Sequence, residues 1–348
     1  MNTEIITISS IDELEYKLEH PSSVIKSGGL VVFPTETVYG LGADGTNAEA
    51  AEKVYRAKGR PSDNPLIIHI AAPDWAEKYA HTNDTYYKLA DAFMPGPLTV
   101  VLDAKDTVPL KTRGGLSTVA VRCPSNIIAR KLIELSGVPI AAPSANLSGS
   151  PSPTRSSHVI DDMMGRVDII IDGGDCDFGL ESTIVKIDSL GSVTLLRPGK
   201  ITVDDIKRIG VQIEVADAVL NELKPGEVAE SPGMKYRHYA PTSPLVLYDC
   251  KISKLLNYIK AENKKTIAIV SFSEDVELIN NSIANADVFD FGKRCDAIGQ
   301  AHVLFSILRE TDKKNYDCIY APLPEINGIG LALYNRMIRA AAHNILKL

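Results

Sequence analysis

The segment from Pro225 to Pro244 constrains the fold most, because it divides the chain into two parts. It contains four prolines and two glycines. Proline fixes φ and cannot donate a backbone hydrogen bond, so regular structure is not expected in this segment. A chain of 348 residues is also longer than one ordinary domain. We therefore predict a larger domain over residues 1–215, a linker over 216–244 and a smaller domain over 245–348.

The first part contains short apolar runs that predict strands. Several runs are apolar throughout rather than alternating, which is typical of strands covered on both faces. Helical patterns separate some runs, while other runs follow one another directly, so we expect an α/β domain with a mixed sheet and flanking helices. The predicted strands are Leu30–Phe33, Pro65–Ile70, Leu98–Leu102, Thr118–Arg122, Pro139–Ala142, Val167–Asp172, Ser182–Ile187 and Val193–Leu196, and the predicted helices are Ala48–Lys58, Asp84–Phe93, Asn126–Ser136 and Arg155–Met163.

The second part alternates more regularly between strand and helix patterns. This alternation predicts a small, Rossmann-like parallel α/β domain. Its predicted strands are Leu245–Tyr248, Thr266–Phe272, Asp287–Phe291 and Cys318–Tyr320, and its predicted helices are Ile252–Lys260, Glu274–Ile283, Ala297–Glu310 and Gly330–Leu346.

The composition narrows the class of function. Hydrophobic residues at 45% and charged residues at 23% are typical of a soluble globular protein. A net charge of −7 and only 6% aromatic residues disfavour a general nucleic-acid binder. No apolar run approaches the roughly 20 residues of a membrane helix, and the first ten residues show no secretory signal. The five cysteines are odd in number and form no C-x-x-C pair, so we expect no disulfide framework, no protein-built metal site and a cytoplasmic location.

Polar side chains follow the first predicted strand, in the segment Phe33–Gly42. Thr35, Glu36 and Thr37 come directly after the strand and its proline, where α/β sheets commonly bind ligands. A threonine-rich turn without a ligand is the alternative. This segment therefore indicates a candidate site only in combination with others.

Cations cluster where the predicted helix Ala48–Lys58 ends. Lys58 can bind phosphate as a point charge and Arg60 as a bidentate fork. Cations in a last helical turn also complement the helix dipole, which is the structural alternative. His69 lies among Ile and Leu residues, where a packed core histidine is an alternative to a ligand.

Further polar residues stand at the ends of later strands and in loops. Arg122 is the last residue of a predicted strand. Its side chain is either a surface charge or a group that binds a carboxylate. Ser144 and Asn146 lie in a loop of small residues that can cradle phosphate and ribose. Thr154 can bind an anion at the start of the next helix or act as its N-cap. The sequence contains no G-x-x-x-x-G-K-[ST], G-x-S-x-G or H-E-x-x-H motif, which disfavours P-loop NTPases, serine hydrolases and zincins.

Together these segments resemble the L-threonylcarbamoyladenylate synthases in their long form, in which a YrdC-like domain precedes a smaller domain. The resemblance covers nearly the whole chain and implies a YrdC-like twisted mixed sheet with flanking helices for the first domain. The segments that carry it are Phe33–Gly42, Lys58–Arg60, Pro143–Asn146, Pro151–Thr154, Glu181–Thr183, Arg197–Gly199 and Ser231–Pro241.

The resemblance implies an ATP- and threonine-dependent nucleotidyltransferase. Such an enzyme makes threonylcarbamoyl-AMP and pyrophosphate from L-threonine, bicarbonate or CO2 and ATP. A separate transferase complex then passes the threonylcarbamoyl group to an adenosine next to the tRNA anticodon. The resemblance also implies Mg2+ bound with ATP and no tightly bound organic cofactor, and it leaves weak contact with tRNA open.

The resemblance also implies the members of the site. Lys58 and Arg60 are the expected catalytic residues. Threonine is expected to contact Thr35, His69, Arg122 and Ser182, with Arg122 pairing with its carboxylate. Tyr236 is expected to close over the nucleotide as part of a lid in the linker. The expected ATP-binding residues are Lys58, Arg60, Thr118, Ser144, Asn146, Thr154, Arg197 and Tyr236.

Two other functions remain as alternatives from the sequence. A carbamoyl-transfer protein of hydrogenase maturation uses a related catalytic domain, but it adds acylphosphatase and Cys-rich zinc modules for which this chain has neither length nor cysteines. A non-catalytic RNA-binding module is disfavoured by the acidic balance of charge and the scarcity of aromatic residues.

Overall fold

The computed structural model describes residues 2–221, Ser231, 239–262 and 265–348. The chain divides into two compact units, Met1–Ser148 with Ser152–Lys235 and Gly149–Pro151 with Tyr236–Leu348. The short stretch Gly149–Pro151 belongs to the second unit although the first unit surrounds it in sequence.

The first unit is built on a mixed sheet of eleven strands among the described residues. Their order is β1-β8-β2-β3-β7-β4-β6-β5-β9-β10-β11. For example, β4 pairs with β6 in parallel and β5 pairs with β6 antiparallel, so the predicted mixed sheet is confirmed. The strands are β1 (Glu4–Thr7), β2 (Val31–Phe33), β3 (Gly40–Asp44), β4 (Ile67–His69), β5 (Leu98–Asp103), β6 (Thr118–Arg122), β7 (Ile140–Ala141), β8 (Ile169–Asp172), β9 (Thr183–Ile187), β10 (Val193–Arg197) and β11 (Ile213–Val215).

Six α-helices flank this sheet in the described residues. They are α1 (Leu14–Lys26), α2 (Ala48–Lys58), α3 (Asp84–Phe93), α4 (Ile127–Ser136), α5 (Ser156–Met163) and α6 (Val203–Arg208). Helix α2 begins where the Asn47 side chain accepts from the amides of Glu49 and Ala50, and it ends at Gly59 in the left-handed region, with φ 63°. These two caps fix Lys58 as the last residue of α2, beside the sheet.

The second unit contains a five-stranded parallel sheet in the order β14-β13-β15-β12-β16. This confirms the predicted small parallel α/β domain. Its strands are β12 (Leu245–Asp249), β13 (Ile267–Ser271), β14 (Ala286–Asp290), β15 (Cys318–Pro322) and β16 (Ile345–Lys347), and its helices are α7 (Ile252–Ala261), α8 (Val276–Ser282), α9 (Ala297–Thr311) and α10 (Gly330–Ala340).

Two boundary predictions are wrong. The helix predicted over Gly330–Leu346 ends at Ala340, because Ala342 and His343 adopt positive φ values of 48° and 59° and reverse the chain. The chain then forms β16, which pairs with β12 at the sheet edge. In the first unit, Arg155 rather than Thr154 occupies the N-cap position of α5. No helix in the described part of the chain is long and apolar enough to cross a membrane.

Candidate active site

Three loops that follow strands of the first unit are tied together by backbone hydrogen bonds. In the loop after β2, the carbonyl of Glu36 accepts a hydrogen bond from the amide of Phe178 at 2.9 Å. The carbonyl of Thr37 accepts one from the amide of Gly179 at 3.1 Å. The same loop joins the loop after β7, since the amide of Ala145 donates to the carbonyl of Tyr39 at 2.8 Å. These bonds hold the loop after β2, which contains Thr35, against the loop after β7, which contains Ser144 and Asn146.

Lys58 lies buried at the centre of the contacts between α2 and the loop after β7. Its Nζ donates to the carbonyl of Ser144, to the carbonyl of Asn146 at 2.5 Å and to Asn146 Oδ1 at 3.4 Å. Only 2% of Lys58 is exposed, so the side chain is less accessible than a surface cation. The carbonyl of Lys58 accepts from the amide of Ser148 at 3.0 Å. Lys58, Ser144 and Asn146 are therefore brought together as one cluster.

Arg60 is half-buried in the turn that follows α2. Its Nε donates to the carbonyl of Asn64 at 3.2 Å and its Nη2 to the carbonyl of Pro65 at 3.1 Å. Bonds to two successive carbonyls hold the guanidinium in one orientation. A fixed cation of this kind can bind phosphate without losing much side-chain entropy.

Thr118 and Arg122 stand at the two ends of β6. They lie on the same face of the sheet because side chains four residues apart in a strand point the same way. The rise of a strand separates them by about 13 Å. One ligand of the size of a nucleotide, or two smaller ligands side by side, would be needed to reach both.

Arg122 forms a buried ion pair with Glu36. Arg122 Nη2 lies 2.8 Å from Glu36 Oε1, and the two side chains are only 5% and 7% exposed. Burial opposes ionisation of Glu36, but the nearby charge of Arg122 outweighs it and lowers the pKa of this carboxyl. Glu36 is therefore a carboxylate, and sequence reasoning did not count it among the site residues.

His69 lies beside this pair, since it is aligned with Arg122 across the β4–β6 pairing. Its Nδ1 contacts the carbonyls of Ile67 and Ile140 at 3.2 and 3.3 Å, so Nδ1 carries the proton and Nε2 is an acceptor. Burial and the charge of Arg122 lower the pKa of His69 to about 3. The imidazole is therefore neutral near pH 7 and can serve as a polar contact but not as a cation.

Ser182 directly precedes β9 and forms hydrogen bonds with residues of β5 and β10, next to Arg122. Its hydroxyl lies 2.7 Å from Thr99 Oγ1, and Thr99 is aligned with Arg122 across the β5–β6 pairing. Arg197 donates from Nε to the carbonyl of Ser182 at 3.1 Å and from Nη2 to its hydroxyl at 3.2 Å. Ser182, Arg197 and Arg122 thus share one buried region, which Thr99 also joins without having been predicted.

Thr35 and Thr154 lie in loops that the same network holds. Thr35 is 2% exposed, and its hydroxyl donates to the carbonyl of Val38 at 2.6 Å and accepts from the amides of Thr37 and Val38 at 3.2 Å. The hydroxyl therefore shapes the turn after β2. The carbonyl of Thr154 accepts from the amide of Cys176 at 2.9 Å. Tyr236 lies outside the described residues.

A second carboxylate, that of Glu181, is buried in the site. It accepts a hydrogen bond from the Ser152 hydroxyl at 2.5 Å, and the two residues are 6% and 1% exposed. The sequence segments Pro151–Thr154 and Glu181–Thr183 pointed to this region, but only the fold shows that the two side chains meet. In the described part of the chain, no group of three or more His, Cys, Asp or Glu residues is placed to hold a metal ion.

Comparison with known proteins decides the family. Residues 23–199 match the family model of Sua5, YciO and YrdC proteins, described as telomere recombination. Residues 201–342 match that of the threonylcarbamoyl-AMP synthase C-terminal domain. The chain belongs to the threonylcarbamoyl-AMP synthase family. The predicted family and its enzyme class, a nucleotidyltransferase, are thereby confirmed.

Relatives of full length support this membership. The threonylcarbamoyl-AMP synthase of Pyrococcus abyssi is 43% identical over 341 residues, covering 96% of both chains. That of Bacillus subtilis is 38% identical over 355 residues, covering all of both chains. The crystal structure of P. abyssi Sua5 complexed with L-threonine superposes with a TM-score of 0.89 at 40% identity, over all of both chains. The match to the threonylcarbamoyl-AMP synthases thus extends through both units.

Proposed function

We propose that this chain makes L-threonylcarbamoyl-AMP and pyrophosphate from L-threonine, bicarbonate or CO2, and ATP. The observation that carries the proposal is the buried Glu36–Arg122 pair, with Ser182 and Arg197 in the same buried region. Lys58 at the end of α2 and Arg60 in the turn after it add fixed cations. Cations suit a triphosphate, and a buried arginine suits the carboxylate of an amino acid. The names of the full-length relatives support the same reaction.

The proposed reaction needs charge stabilisation and positioning more than a protein nucleophile. The threonine nitrogen bonds to the carbon of CO2, and its ammonium group gives up two protons to solvent, which leaves a carbamate that keeps one N–H. A carbamate oxygen then bonds to the α-phosphorus of ATP while the bond to the β-phosphate oxygen breaks and pyrophosphate leaves. Cations fixed in advance stabilise the charge that develops on the leaving group.

The ATP side of the site is assigned to the cations and to the loop after β7. Lys58, Arg60 and Arg197 would face the phosphates, since each is oriented by bonds to backbone carbonyls. The hydroxyl and amide groups would bind phosphate and ribose oxygens, and Tyr236 would cover the nucleotide. The members with these polar roles are Thr118, Ser144, Asn146 and Thr154.

The threonine side is assigned to the region around the buried ion pair. Arg122 would bind the carboxylate, and His69 and Ser182 would offer neutral polar contacts. Thr35 would contribute through the turn that its hydroxyl shapes. The P. abyssi Sua5 structure complexed with L-threonine, which matches this chain over its whole length, supports threonine as a ligand.

Mg2+ fits the proposal as a companion of ATP. Magnesium at nucleotide sites is bound by phosphate oxygens, waters and at most one or two carboxylates. The described residues offer the separate buried carboxylates Glu36 and Glu181 rather than a group of three or more His, Cys, Asp or Glu residues. The ion would therefore be held mainly by the phosphates and would supply neutralisation of their charge.

The product is proposed to supply a tRNA modification next to the anticodon, through a separate transferase complex. We also propose that the protein acts in the cytoplasm. No disulfide joins any of its five cysteines, including the exposed Cys295, which fits a reducing compartment.

Pyrophosphate release by the purified full-length protein tests the proposal. We expect release from Mg-ATP only when both L-threonine and bicarbonate are present, and much less with L-serine in place of L-threonine. Folded protein that releases no pyrophosphate in response to threonine would overturn the proposed reaction. The alternative of a non-catalytic RNA-binding module would then be tested by the salt dependence of tRNA binding, which should be steep if phosphate contacts dominate.

A further inference from the structure

The Glu36–Arg122 pair has buried polar atoms that the protein itself does not satisfy. Under strict hydrogen-bond geometry, Glu36 Oε1 and Oε2 and Arg122 Nε and Nη2 have no partner among the described residues. Nη2 and Oε1 lie 2.8 Å apart, and the backbone amides of Glu36 and Ser125 lie close enough to the Glu36 carboxylate to help lower its pKa. A buried ion pair repays its desolvation only when its remaining donors and acceptors are also satisfied. Leaving them unsatisfied is therefore costly unless a ligand completes them.

The backbone holds Glu36 in place independently of Arg122. The amide of Phe178 donates to the Glu36 carbonyl at 2.9 Å. The Thr35 hydroxyl accepts from the amides of Thr37 and Val38, which follow Glu36 in the turn. The Glu36 side chain thus starts from a rigid turn. Arg122 likewise ends a strand that is paired on both sides, with β4 and β5. Both groups are preorganised for a ligand.

The charges of the pair match those of an amino-acid zwitterion. An α-ammonium supplies three donors and an α-carboxylate supplies acceptors for a guanidinium fork. The pair and the zwitterion each carry no net charge, so binding adds no net charge to the buried region. A simple carboxylic acid would add a negative charge, and a simple amine would add a positive one, each at the cost of desolvation.

We propose that Glu36 accepts hydrogen bonds from the α-ammonium group of the amino-acid substrate while Arg122 binds its α-carboxylate. The inference rests on the proposed function and names the residue that selects an α-amino acid over the corresponding acid. Glu36 remains ionised because Arg122 lies beside it. It therefore accepts hydrogen bonds from the ammonium group and does not take up a proton from it. The α-ammonium group therefore gives its proton to a base other than Glu36 before the nitrogen attacks CO2.

Binding of three ligands to wild-type protein and to Glu36→Gln tests this assignment. The ligands are L-threonine, 3-hydroxybutanoate, which lacks the amine, and 1-amino-2-propanol, which lacks the carboxylate. We expect the variant to bind L-threonine about 10- to 100-fold more weakly, because a charge-assisted hydrogen bond is lost. We also expect it no longer to bind 1-amino-2-propanol. We expect it to bind 3-hydroxybutanoate more tightly, because Arg122 is no longer neutralised by Glu36.

The opposite directions of these changes separate binding from a structural role. If Glu36 only positions Arg122, the variant will weaken L-threonine and 3-hydroxybutanoate by the same factor, and the inference is then wrong. Unchanged affinity for L-threonine would also overturn it. Glu52→Gln serves as the control, since Glu52 forms a half-exposed pair with Lys111 and should leave all three affinities unchanged.

Glu36→Asp keeps the inference testable if the glutamine variant does not fold. Aspartate preserves the charge beside Arg122 but withdraws the carboxylate by one methylene group. We expect it to weaken L-threonine and 1-amino-2-propanol but not 3-hydroxybutanoate, and equal weakening of L-threonine and 3-hydroxybutanoate would count against the inference. The proposed function fails separately, if wild-type protein neither binds threonine nor releases pyrophosphate in response to it.

Discussion

Replacing Lys58 with methionine is expected to damage both stability and activity. The burial of Lys58 and its bonds to the carbonyls of Ser144 and Asn146 show that the ammonium group also holds the loop after β7. Methionine keeps the length and apolar stem of the side chain but leaves these two carbonyls without their donor. A turnover measurement alone would therefore mix a catalytic loss with a structural one.

The size of the structural loss follows from these bonds. A buried acceptor left unsatisfied costs about 1–3 kcal/mol, and two carbonyls lose their donor. Removal of the buried ammonium group offsets part of this free-energy cost, because the desolvation of that group no longer opposes folding. We expect a net loss of about 2–4 kcal/mol, which lowers Tm by about 4–16 °C for a unit of this size.

Thermal unfolding and pyrophosphate release should be measured on the same protein samples. Lys53→Met is the matched control, since Lys53 lies on the same helix, is exposed, and donates to the carbonyl of Gly28 at 2.6 Å. We expect the control to lose about 1 kcal/mol at most and to retain full turnover. A Tm for Lys58→Met equal to that of the control would refute the structural role argued here.

Three further predictions concern other residues of the site. Arg60→Gln should lower turnover about 100-fold or more, because a fixed donor to a developing charge is lost, and its Tm should fall less than that of Lys58→Met because Arg60 is only half-buried. Arg208→Gln, at an exposed pair, is its control, and full activity in Arg60→Gln would remove Arg60 from the catalytic residues. Ser182→Ala removes the hydroxyl that accepts from Arg197 and should raise KM for threonine about tenfold while leaving KM for ATP within about a factor of two; equal changes in both would contradict its place beside threonine. The pKa of His69 is lowered from 6.5 to about 3, so the unfolded chain binds the extra proton between these values and stability falls as pH falls through that range. His69→Asn should flatten this decline in urea unfolding midpoints, and an unchanged pH dependence would contradict the neutral, buried state of His69.

The strands that the sequence predicted are those with uninterrupted apolar runs, while β3 was not predicted. β3 contains Gly40 and Gly42, and glycine is usually taken as a sign of a turn. At Gly42 a Cβ atom would lie 2.7 Å from the Phe33 ring and 2.6 Å from the Ile140 side chain. The glycine is therefore required by close packing between strands, which depends on residues distant in sequence.

Helix α1 was also not predicted, and here a proline is the cause. Pro21 lies inside Leu14–Lys26, and a proline is expected to end or kink a helix. The buried residues Leu18 and Ile25 anchor α1 to the core together with Ile128 and Leu132 of α4. Tertiary packing thus overrides the local signal, and a single sequence does not contain that information.

The sequence suggested candidate polar residues for the site but not which of their side chains meet. Glu36 is separated from Arg122 by 86 positions, and Ser152 from Glu181 by 29. No local pattern predicts that these side chains meet, because the pairing depends on strand order. The resemblance to a family supplied membership of the site, and the fold supplied the partners.

The partners of the cations explain why one site can bind two ligands of different charge. Lys58, Arg60 and Arg197 are oriented by backbone carbonyls, and bonds of this kind hold a cation in position without cancelling its charge. Arg122 is instead matched by a carboxylate. The first arrangement suits a polyanion such as ATP, because a carbonyl dipole orients a cation without adding a negative charge. The second suits a zwitterion, because a neutral pair meets a neutral ligand. The proposed division between ATP and threonine rests on what holds each cation, and the variants of Lys58 and Glu36 test its two halves independently.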